Sequence, residues 1–550
     1  MERRVDVPDC ASPELPESEH YKIARRDLAV ALSKQGVAAP ARYELAPAKA
    51  IIDAARETMR QDLHRRISSL DRDGLLLFCI EQNDALIAEH RRSVFQVKQS
   101  LSHEVEYDRA QALIEAHDRF NQNARNYRYL LECCLSLQAH GTGNADAPTV
   151  VQLLATINWL FVLYGASDTL HNGIEAGGIE LDDWYVPEVF YSDDREEKEQ
   201  RFSREAAHDS LGLDLIQEDE VNSILETDKT RQDLDGAFLG QLGFSLTQLL
   251  QALTVLTSWR AVGGTSELKF CYQASAAEIV TKLVATLEGL SEVQAHQIIE
   301  FLTLKPTGIR RLLGKETDET DVPVWEHTKR GDRYTIRPLV ALSNELIAWG
   351  AATAERTSSI WTNAVSNGYL PADFEWPAIK KQVRAIKESI EKRLEVQAFN
   401  VCSRMATYVL PGIDFKRRFP KENFDDVGDF DVLAYWPESN LWLSAECKYN
   451  QSPFCLKDAR RLRDRIFGAG ENGGQFAKIE GRRAFLAARV DQLRQLLGWP
   501  EPTGTAPPRF IEVYVSRDIY WWMRNPPYEV PTHFVRIDAL HGWLQSHLAT

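Results

Sequence analysis

Three charged residues lie at the ends of two apolar segments near the C-terminus, and their types and spacing suit hydrolytic chemistry. Asp431 begins the segment DVLAYW, and Glu446 and Lys448 lie at the end of LWLSAECK. Side chains alternate along a β-strand, so Glu446 and Lys448 share one face while their neighbours point into a core. If the two segments pair as a hairpin, Asp431 stands beside Glu446, with Lys448 one step along.

Two carboxylates beside apolar residues repel each other unless a cation lies between them. Mg²⁺ prefers oxygen ligands and keeps several waters, so Asp431, Glu446 and the backbone carbonyl of Cys447 would suffice to bind it, with Mn²⁺ as a substitute. The ion lowers the pKa of a bound water, and Lys448 can orient that water or stabilise charge that grows on a phosphate. The pattern therefore predicts a metal-dependent site that cleaves phosphodiester bonds.

A helix ahead of the hairpin would supply a further carboxylate. Apolar residues recur there at steps of three and four, which predicts one buried stripe: Ile379, Val383, Ile386, Ile390 and Leu394. Glu391 and Glu395 lie four residues apart on the flank of this stripe, so both could point toward the edge of the sheet. Glu395 is the stronger candidate, because it lies closer to the first strand.

The motif G-D-F-D-V-L-A, with E-C-K beginning fifteen residues after Asp431, resembles the core signature of the PD-(D/E)xK nuclease superfamily. That superfamily includes restriction endonucleases and Holliday-junction resolvases, and the resemblance covers roughly residues 380–520. It implies a mixed central sheet flanked by helices. It also implies that Asp431 and Glu446 bind the metal, that Lys448 is the catalytic lysine and that Glu395 is the helix carboxylate.

Two positions depart from the pattern. Phe430 stands where a proline usually precedes the first acid, as in many resolvase-like members. Asp429 adds a carboxylate that could help to bind metal or could point to solvent.

Basic residues on either side of the motif are candidates for contact with nucleic acid. A helical segment at 474–498 carries Lys478, Arg482 and Arg483, and an upstream cluster contains Lys416, Arg417 and Arg418. Such side chains neutralise phosphates on a bound strand. A solvated helix face is an equally good interpretation of Arg482 and Arg483.

The distribution of charge along the chain predicts that any contact with nucleic acid is made by the C-terminal third. The net charge of the 550 residues is −16, but residues 371–550 hold 26 Lys and Arg against 23 Asp and Glu, a balance of +3. The preceding residues carry −19. An acidic surface repels phosphate, whereas a locally basic one attracts it. We expect a nucleic-acid partner, DNA rather than RNA.

The sequence predicts a multidomain protein in which a mostly α-helical N-terminal region precedes a C-terminal α/β restriction-endonuclease-like domain. Residues 1–304 are acidic and rich in proline-free amphipathic segments, which suits a helical scaffold or recognition region, and a break near 187–210 could divide it into two subdomains. Residues 305–375 are expected to form a connecting β-hairpin and linker, with a strand–turn–strand pattern at 333–350. The nuclease-like domain is expected at 376–550.

The composition favours a cytoplasmic protein that does not cross a membrane. The longest apolar stretch is shorter than the ~20 residues of a membrane-spanning helix, and the eight cysteines are scattered without a CxxC pair. We expect the helical region to regulate or target the nuclease, through a homodimer or an activating protein, in genome defence. The alternative is a catalytically inactive nuclease fold that serves as a nucleic-acid-binding or protein-interaction scaffold.

Overall fold

The computed structural model of the protein describes residues 12–99, 109–137, 140–173, 175–191, 198–199, 202, 228–259, 270–315, 320–469 and 473–548. The chain divides into two compact units, residues 1–383 and residues 384–550. The predicted break at 187–210 falls largely on residues outside the described ranges.

The first unit is mostly helical. Its described helices are α1 (Ser18–Ser33), α2 (Leu45–Ser68), α3 (Arg72–Gln99), α4 (Arg109–Ser136), α5 (Ala147–Asn172), α6 (Asp228–Leu242), α7 (Leu246–Thr257), α8 (Ala276–Thr286), α9 (Glu292–Leu302) and α10 (Ala351–Ser366). Helices α3 and α4 pack together, as do α2 and α5. Their apolar faces share one core that includes Ile52, Leu76, Leu130 and Leu154. This agrees with the helical N-terminal region that the sequence predicts.

In the described part of the first unit, two small antiparallel sheets accompany the helices. The first consists of β1 (Ala41–Glu44), β2 (Ala176–Leu181) and β3 (Pro187–Tyr191), and the second of β4 (Tyr272–Ser275), β5 (Val340–Ala341) and β6 (Leu346–Trp349). Strands β5 and β6 form the hairpin predicted within 333–350, and β6 also pairs with β4. Residues 305–375, expected to connect two domains, therefore belong to the first unit.

Among the residues that the structure describes, one helix, α5, is long and apolar enough to cross a membrane. The bent pair Lys229–Leu242 and Leu246–Thr257 passes the same test when its two helices are taken together. In α5, 67% of the most apolar window is buried inside the protein, and the core helix of a soluble protein has the same character. The apolar composition is therefore a weak indication of a membrane span.

The second unit is built on a five-stranded mixed sheet. Its strands are β7 (Tyr408–Ile413), β8 (Phe430–Trp436), β9 (Leu441–Lys448), β10 (Arg509–Ser516) and β11 (Thr532–Arg536), in the order β11-β10-β9-β8-β7. Strands β7, β8 and β9 pair antiparallel, and β9, β10 and β11 pair parallel. Parallel neighbours require a crossover, which the chain between β9 and β10 provides with two helices.

Helices pack on both faces of this sheet. The described helices of this part of the chain are α11 (Pro377–Ser403), within which the division between the units falls, α12 (Phe415–Arg418), α13 (Leu456–Phe467), α14 (Gly474–Leu497), α15 (Trp521–Arg524) and α16 (Leu540–Leu548). Leu394 of α11 and Leu544 of α16 pack on one face, with Val432 and Ala445. Phe485 and Leu493 of α14 lie in a second core, with Leu433.

This architecture confirms the predicted mixed sheet flanked by helices, after a mostly helical region. The predicted stripe on α11 is present, because Ile379, Val383, Ile386 and Leu394 are buried, while its fifth residue, Ile390, is partly buried. The helix begins at Pro377, whose fixed φ suits the first helical turn.

Candidate functional site

Strand pairing brings the two acidic residues of the hairpin together. The register of β8 and β9 aligns Val432 with Ala445, so its next step puts Asp431 opposite Glu446. Val432, Ala445 and Cys447 belong to the core beneath α11, and Asp431 and Glu446 therefore face the side of α14. The two carboxylate residues are only 6% and 7% exposed. They form a buried pair of acids at the end of two central strands.

A glycine leads the chain into this strand end. Gly428 has φ 78°, a left-handed conformation that a residue with a Cβ adopts only with strain. It immediately precedes the exposed Asp429. The turn directs the chain into β8 so that Asp431 enters the buried site.

The Lys448 ammonium lies where three oxygens converge. Its Nζ is 2.6 Å from Glu446 Oε1, and it donates hydrogen bonds to Asp431 Oδ2 at 3.3 Å and to the Cys447 carbonyl oxygen at 3.2 Å. These oxygens belong to the two carboxylates and the carbonyl that the sequence assigns to a metal ion. The lysine thus supplies the positive charge that two adjacent buried acids require.

Burial dominates the electrostatics of Asp431. Loss of solvent and the neighbouring Glu446 raise the pKa of Asp431 to about 6, against the lowering effects of Lys448 and of the Cys447 N–H. That N–H donates to Asp431 Oδ2 at 2.7 Å. The same two acids raise the pKa of Lys448 above its ordinary value, although burial opposes them. The lysine is therefore held as a cation.

An arginine from α14 completes the site, and the sequence interpretation did not place it there. Arg482 donates through Nη2 to Glu446 Oε2, so the two oxygens of Glu446 are held by two different cations. Arg482 is 6% exposed, which excludes the solvated helix face considered for it. The spacing along α14 contains no signal for this contact, because the partner lies 36 residues away in sequence.

The adjacent strand β10 contributes a third buried acid, which the sequence analysis missed. Glu512 is buried, accepts a hydrogen bond from the Thr532 hydroxyl and lies 3.5 Å from Nη1 of Arg483. Burial raises the pKa of Glu512. The signal was present in the sequence, because Glu512 is an acid among the apolar residues at the centre of the strand RFIEVYVS. Arg482 and Arg483 therefore both bind carboxylates of the sheet.

A tyrosine lies opposite Glu446 across the parallel pair of strands. The register aligns Tyr514 with Glu446, and the side chain of Asn450 donates to the tyrosine hydroxyl at 2.9 Å. The hydroxyl in turn donates to Gln475 Oε1 at 2.9 Å. These bonds fix the floor of the site between β9, β10 and the start of α14.

Glu395 on α11 lies within electrostatic range of the cluster. It is half-buried, and this burial is the largest cause of its raised pKa, which Lys448 lowers and Asp429 raises. Glu391, the weaker candidate, lies 3.6 Å from Lys387 of its own helix. The helix carboxylate nearest to the other charges is therefore Glu395.

The remaining basic candidates lie on the surface. Lys416 and Arg417 pair with Asp426 at 3.8 Å and Asp414 at 3.1 Å, and the Arg418 guanidinium lies over the Phe419 ring. Lys478 is exposed, and in the part of the chain described here it forms no ion pair. Of the six basic residues proposed to meet phosphate, Lys478 is thus the one most available to do so.

A separate group of potential metal ligands lies in the first unit. Ligand atoms of His64, Cys133 and Asp321 lie within 4.8 Å of one another. However, Nη1 of Arg60 lies 3.3 Å from His64 Nδ1, and an arginine can only donate, so His64 Nε2 carries the proton. Burial and Arg60 lower the pKa of His64 to about 4. The Nδ1 lone pair of His64 is thus taken by Arg60 and Nε2 has none to offer, so in this arrangement His64 does not present a ligand atom to a metal ion.

Comparison with known proteins identifies no relative of the chain, because no family model, curated protein or solved structure matches it. The functional assignment therefore depends on the geometry of the residues themselves.

Proposed function

We propose that the second unit is a restriction-endonuclease-like domain of the PD-(D/E)xK type that hydrolyses phosphodiester bonds of nucleic acid with a divalent ion. The observation that carries the proposal is the convergence of the Asp431 and Glu446 carboxylates and the Cys447 carbonyl on one cation, the Lys448 ammonium. All three groups are oxygen donors, which Mg²⁺ prefers. The mixed sheet with helices on both faces supports the same assignment.

The residues of the site fit such an ion, and each has a separate role in binding or catalysis. Asp431, Glu446 and the Cys447 carbonyl would hold Mg²⁺, or Mn²⁺ in its place. When bound, the ion supplies Lewis-acid activation of water and neutralises charge on the phosphate. Lys448, once its ammonium leaves these oxygens, donates to a phosphate oxygen as negative charge grows there. Its side chain is 32% exposed, which leaves room for that movement.

Glu395 is suited to accept a proton. Its carboxylate lies near Lys448 without belonging to the convergent oxygens, and burial raises its pKa. A carboxylate with a raised pKa is a stronger base toward the attacking water. Glu395 therefore completes the set of residues that the resemblance implies.

The substrate of this site is nucleic acid, with DNA favoured over RNA. Exposed cations on the same unit, at Lys478 and at 416–418, would contact the backbone phosphates. The acidic first unit would target or regulate cleavage in the cytoplasm, through a homodimer or an activating protein. Genome defence is the setting that we favour.

One observation favours the alternative, a nuclease fold without catalysis. Both oxygens of Glu446 are already held by cations of the protein, Lys448 and Arg482. A site that is internally neutralised in this way could persist as a structural element on a nucleic-acid-binding or protein-interaction scaffold. Metal binding separates the two functions.

The first experiment is calorimetric titration of Mg²⁺ and Mn²⁺ into the full-length protein and its Asp431→Asn variant. Incubation of both proteins with plasmid DNA and with RNA follows. The matched control is Asp491→Asn, which removes an exposed carboxylate of the same unit that pairs with Arg494. We expect metal binding and cleavage in the wild type and the control, and loss of both in Asp431→Asn.

Metal binding without cleavage of any substrate would indicate a nuclease that requires an activating partner. If neither ion binds the wild type, the nuclease function is wrong and the scaffold is preferred. Equal metal affinity in the wild type and Asp431→Asn would place the ion elsewhere in the protein.

A further inference from the structure

The Glu446 carboxylate is bound by two cations of the protein, Lys448 and Arg482. A buried arginine is an unusual partner for a residue that is proposed to bind a metal ion. Its Oε1 is 2.6 Å from the Lys448 ammonium, and its Oε2 accepts a hydrogen bond from Arg482 Nη2. Lys448 lies on the same strand, whereas Arg482 comes from α14. The side chains of Arg482 and Glu446 are 8% and 9% exposed. This is a buried contact between two elements.

A divalent ion that takes the place of Lys448 would share the Glu446 carboxylate with Arg482, the ion through Oε1 and Arg482 through Oε2. An ion held by Glu446 would lie within a few ångströms of the guanidinium, where like charges repel strongly because little water screens them. Lys448 is partly exposed on a flexible stem and can turn toward solvent. Arg482 is more deeply buried, so its release from Glu446 is the costly part of metal binding.

A released guanidinium needs another anion, and the protein offers few. Asp431 already accepts hydrogen bonds from Lys448 and the Cys447 N–H. The third buried acid on this side of the sheet, Glu512, accepts one from Thr532 and lies 3.5 Å from Arg483. A buried charge without a partner is strongly unfavourable. A phosphate oxygen meets this need, because the planar guanidinium matches phosphate with two parallel hydrogen bonds.

We propose, on the basis of the nuclease function proposed above, that Arg482 is a latch on Glu446. In the free protein Arg482 holds the metal ligand Glu446, and in the loaded protein it exchanges Glu446 for a phosphate oxygen of the nucleic-acid substrate. Metal and substrate then bind cooperatively, since each relieves a cost that the other imposes. Arg482 is thus a positioning residue for the metal and a ligand of the substrate.

The latch is tested by calorimetric titration of Mn²⁺ into the full-length wild type, Arg482→Gln and a control, Arg494→Gln. Arg494 lies on the same helix and is 9% exposed, but it pairs with Asp491 and Glu501 outside the site. We expect Arg482→Gln to bind Mn²⁺ roughly tenfold more tightly, because a unit charge at contact distance readily supplies the energy of a factor of ten. Arg494→Gln should match the wild type.

A second titration measures the exchange to phosphate. A short DNA duplex is titrated into the same proteins with Ca²⁺, an ion that also takes oxygen ligands, so that binding is read without reference to activity. We expect Arg482→Gln to bind this DNA roughly tenfold more weakly, the loss typical of a buried charge-assisted hydrogen bond. Unchanged DNA affinity would exclude Arg482 as a phosphate ligand.

The outcomes distinguish this inference from the nuclease function. If the wild type binds Mn²⁺ and Arg482→Gln binds it no more tightly, the latch is wrong and the metal site stands. If the wild type binds no Mn²⁺, both are wrong. Should Arg482→Gln fail to fold, Arg482→Met takes its place, because methionine keeps an apolar stem and removes the charge. Wild-type Mn²⁺ affinity in that variant would then overturn the latch.

Discussion

The Lys448 ammonium lies 2.6 Å from Glu446 Oε1, on the same face of the same strand and two residues further along. Two residues at this spacing in a strand point in the same direction, and here they share the strand end with Asp431. The lysine is therefore the internal counter-ion of a buried acidic pair. Replacement of this counter-ion by a divalent ion is the central event that the proposed function requires.

Loss of the lysine should destabilise the protein in the absence of metal. Lys448→Met leaves Asp431 and Glu446 buried with a smaller positive charge beside them, so we expect the free energy of unfolding to fall by roughly 3 kcal/mol. Urea denaturation measures this change, and added Mn²⁺ should restore much of the stability. The exposed Lys421, replaced by Met, serves as the control and should change stability by less than about 0.5 kcal/mol. Equal effects of the two substitutions would contradict the role of Lys448 as counter-ion.

Lys478 should contribute more to DNA binding than the paired arginine Arg417. Lys478 is exposed, whereas Arg417 lies 3.1 Å from Asp414 and would have to leave that acid to meet a phosphate. We expect Lys478→Gln to reduce the slope of log affinity against log salt by about 1, and Arg417→Gln to reduce it less. Fluorescence anisotropy at several salt concentrations measures both slopes. A larger reduction in Arg417→Gln would reverse this ranking.

The first unit should show a pH dependence that originates in Asp84. This buried acid of α3 accepts hydrogen bonds from the backbone N–H groups of Ala352 at 2.7 Å and Thr353 at 2.9 Å, at the start of α10. Burial nevertheless raises the pKa of Asp84 from 3.8 to about 7. Between these two values the folded protein binds more protons than the unfolded chain, so the contribution of Asp84 to stability falls as the pH rises.

Asp84→Asn removes this titration. We expect the difference in the free energy of unfolding between the wild type and the variant to be largest at acidic pH. It should be smallest above about pH 7, the pKa of Asp84 in the folded protein. Urea denaturation of both proteins across this range measures the difference. A difference that does not vary with pH would show that Asp84 titrates normally.

A buried ion pair between Glu132 of helix α4 and Arg330 should attach the loop that contains Arg330 to this helix. Glu132 is paired with Arg330, both side chains are 5% exposed, and Glu132 Oε1 accepts from the Tyr334 N–H at 2.9 Å. We expect Glu132→Ala to cost roughly 3–5 kcal/mol, because it leaves a buried guanidinium without an anion. Glu132→Gln keeps an acceptor for the N–H and should cost less. Thermal unfolding compares the two, and a wild-type midpoint in Glu132→Ala would contradict the prediction.

Local periodicity determined much of this protein from the sequence alone. The alternation in DVLAYW and LWLSAECK predicts two strands whose acids share a face, and the structure brings Asp431, Glu446 and Lys448 together. The three- and four-residue steps predict the buried stripe of α11. These predictions need only the spacing of side chains along one element or across a short turn, which the geometry of strands and helices sets.

Contacts between distant elements were decided only by the tertiary structure. Arg482 pairs with Glu446 from 36 residues away, and Glu512 meets Arg483 because β10 lies beside β9 in a parallel pair. The hairpin within 305–375 joins the first unit because β6 also pairs with β4. Such contacts depend on how loops close and how helices pack on a sheet. The periodic spacing of residues in the sequence predicts neither of these. The sequence therefore predicted which carboxylates lie together at the strand ends, and the fold decided which cations of the protein hold them.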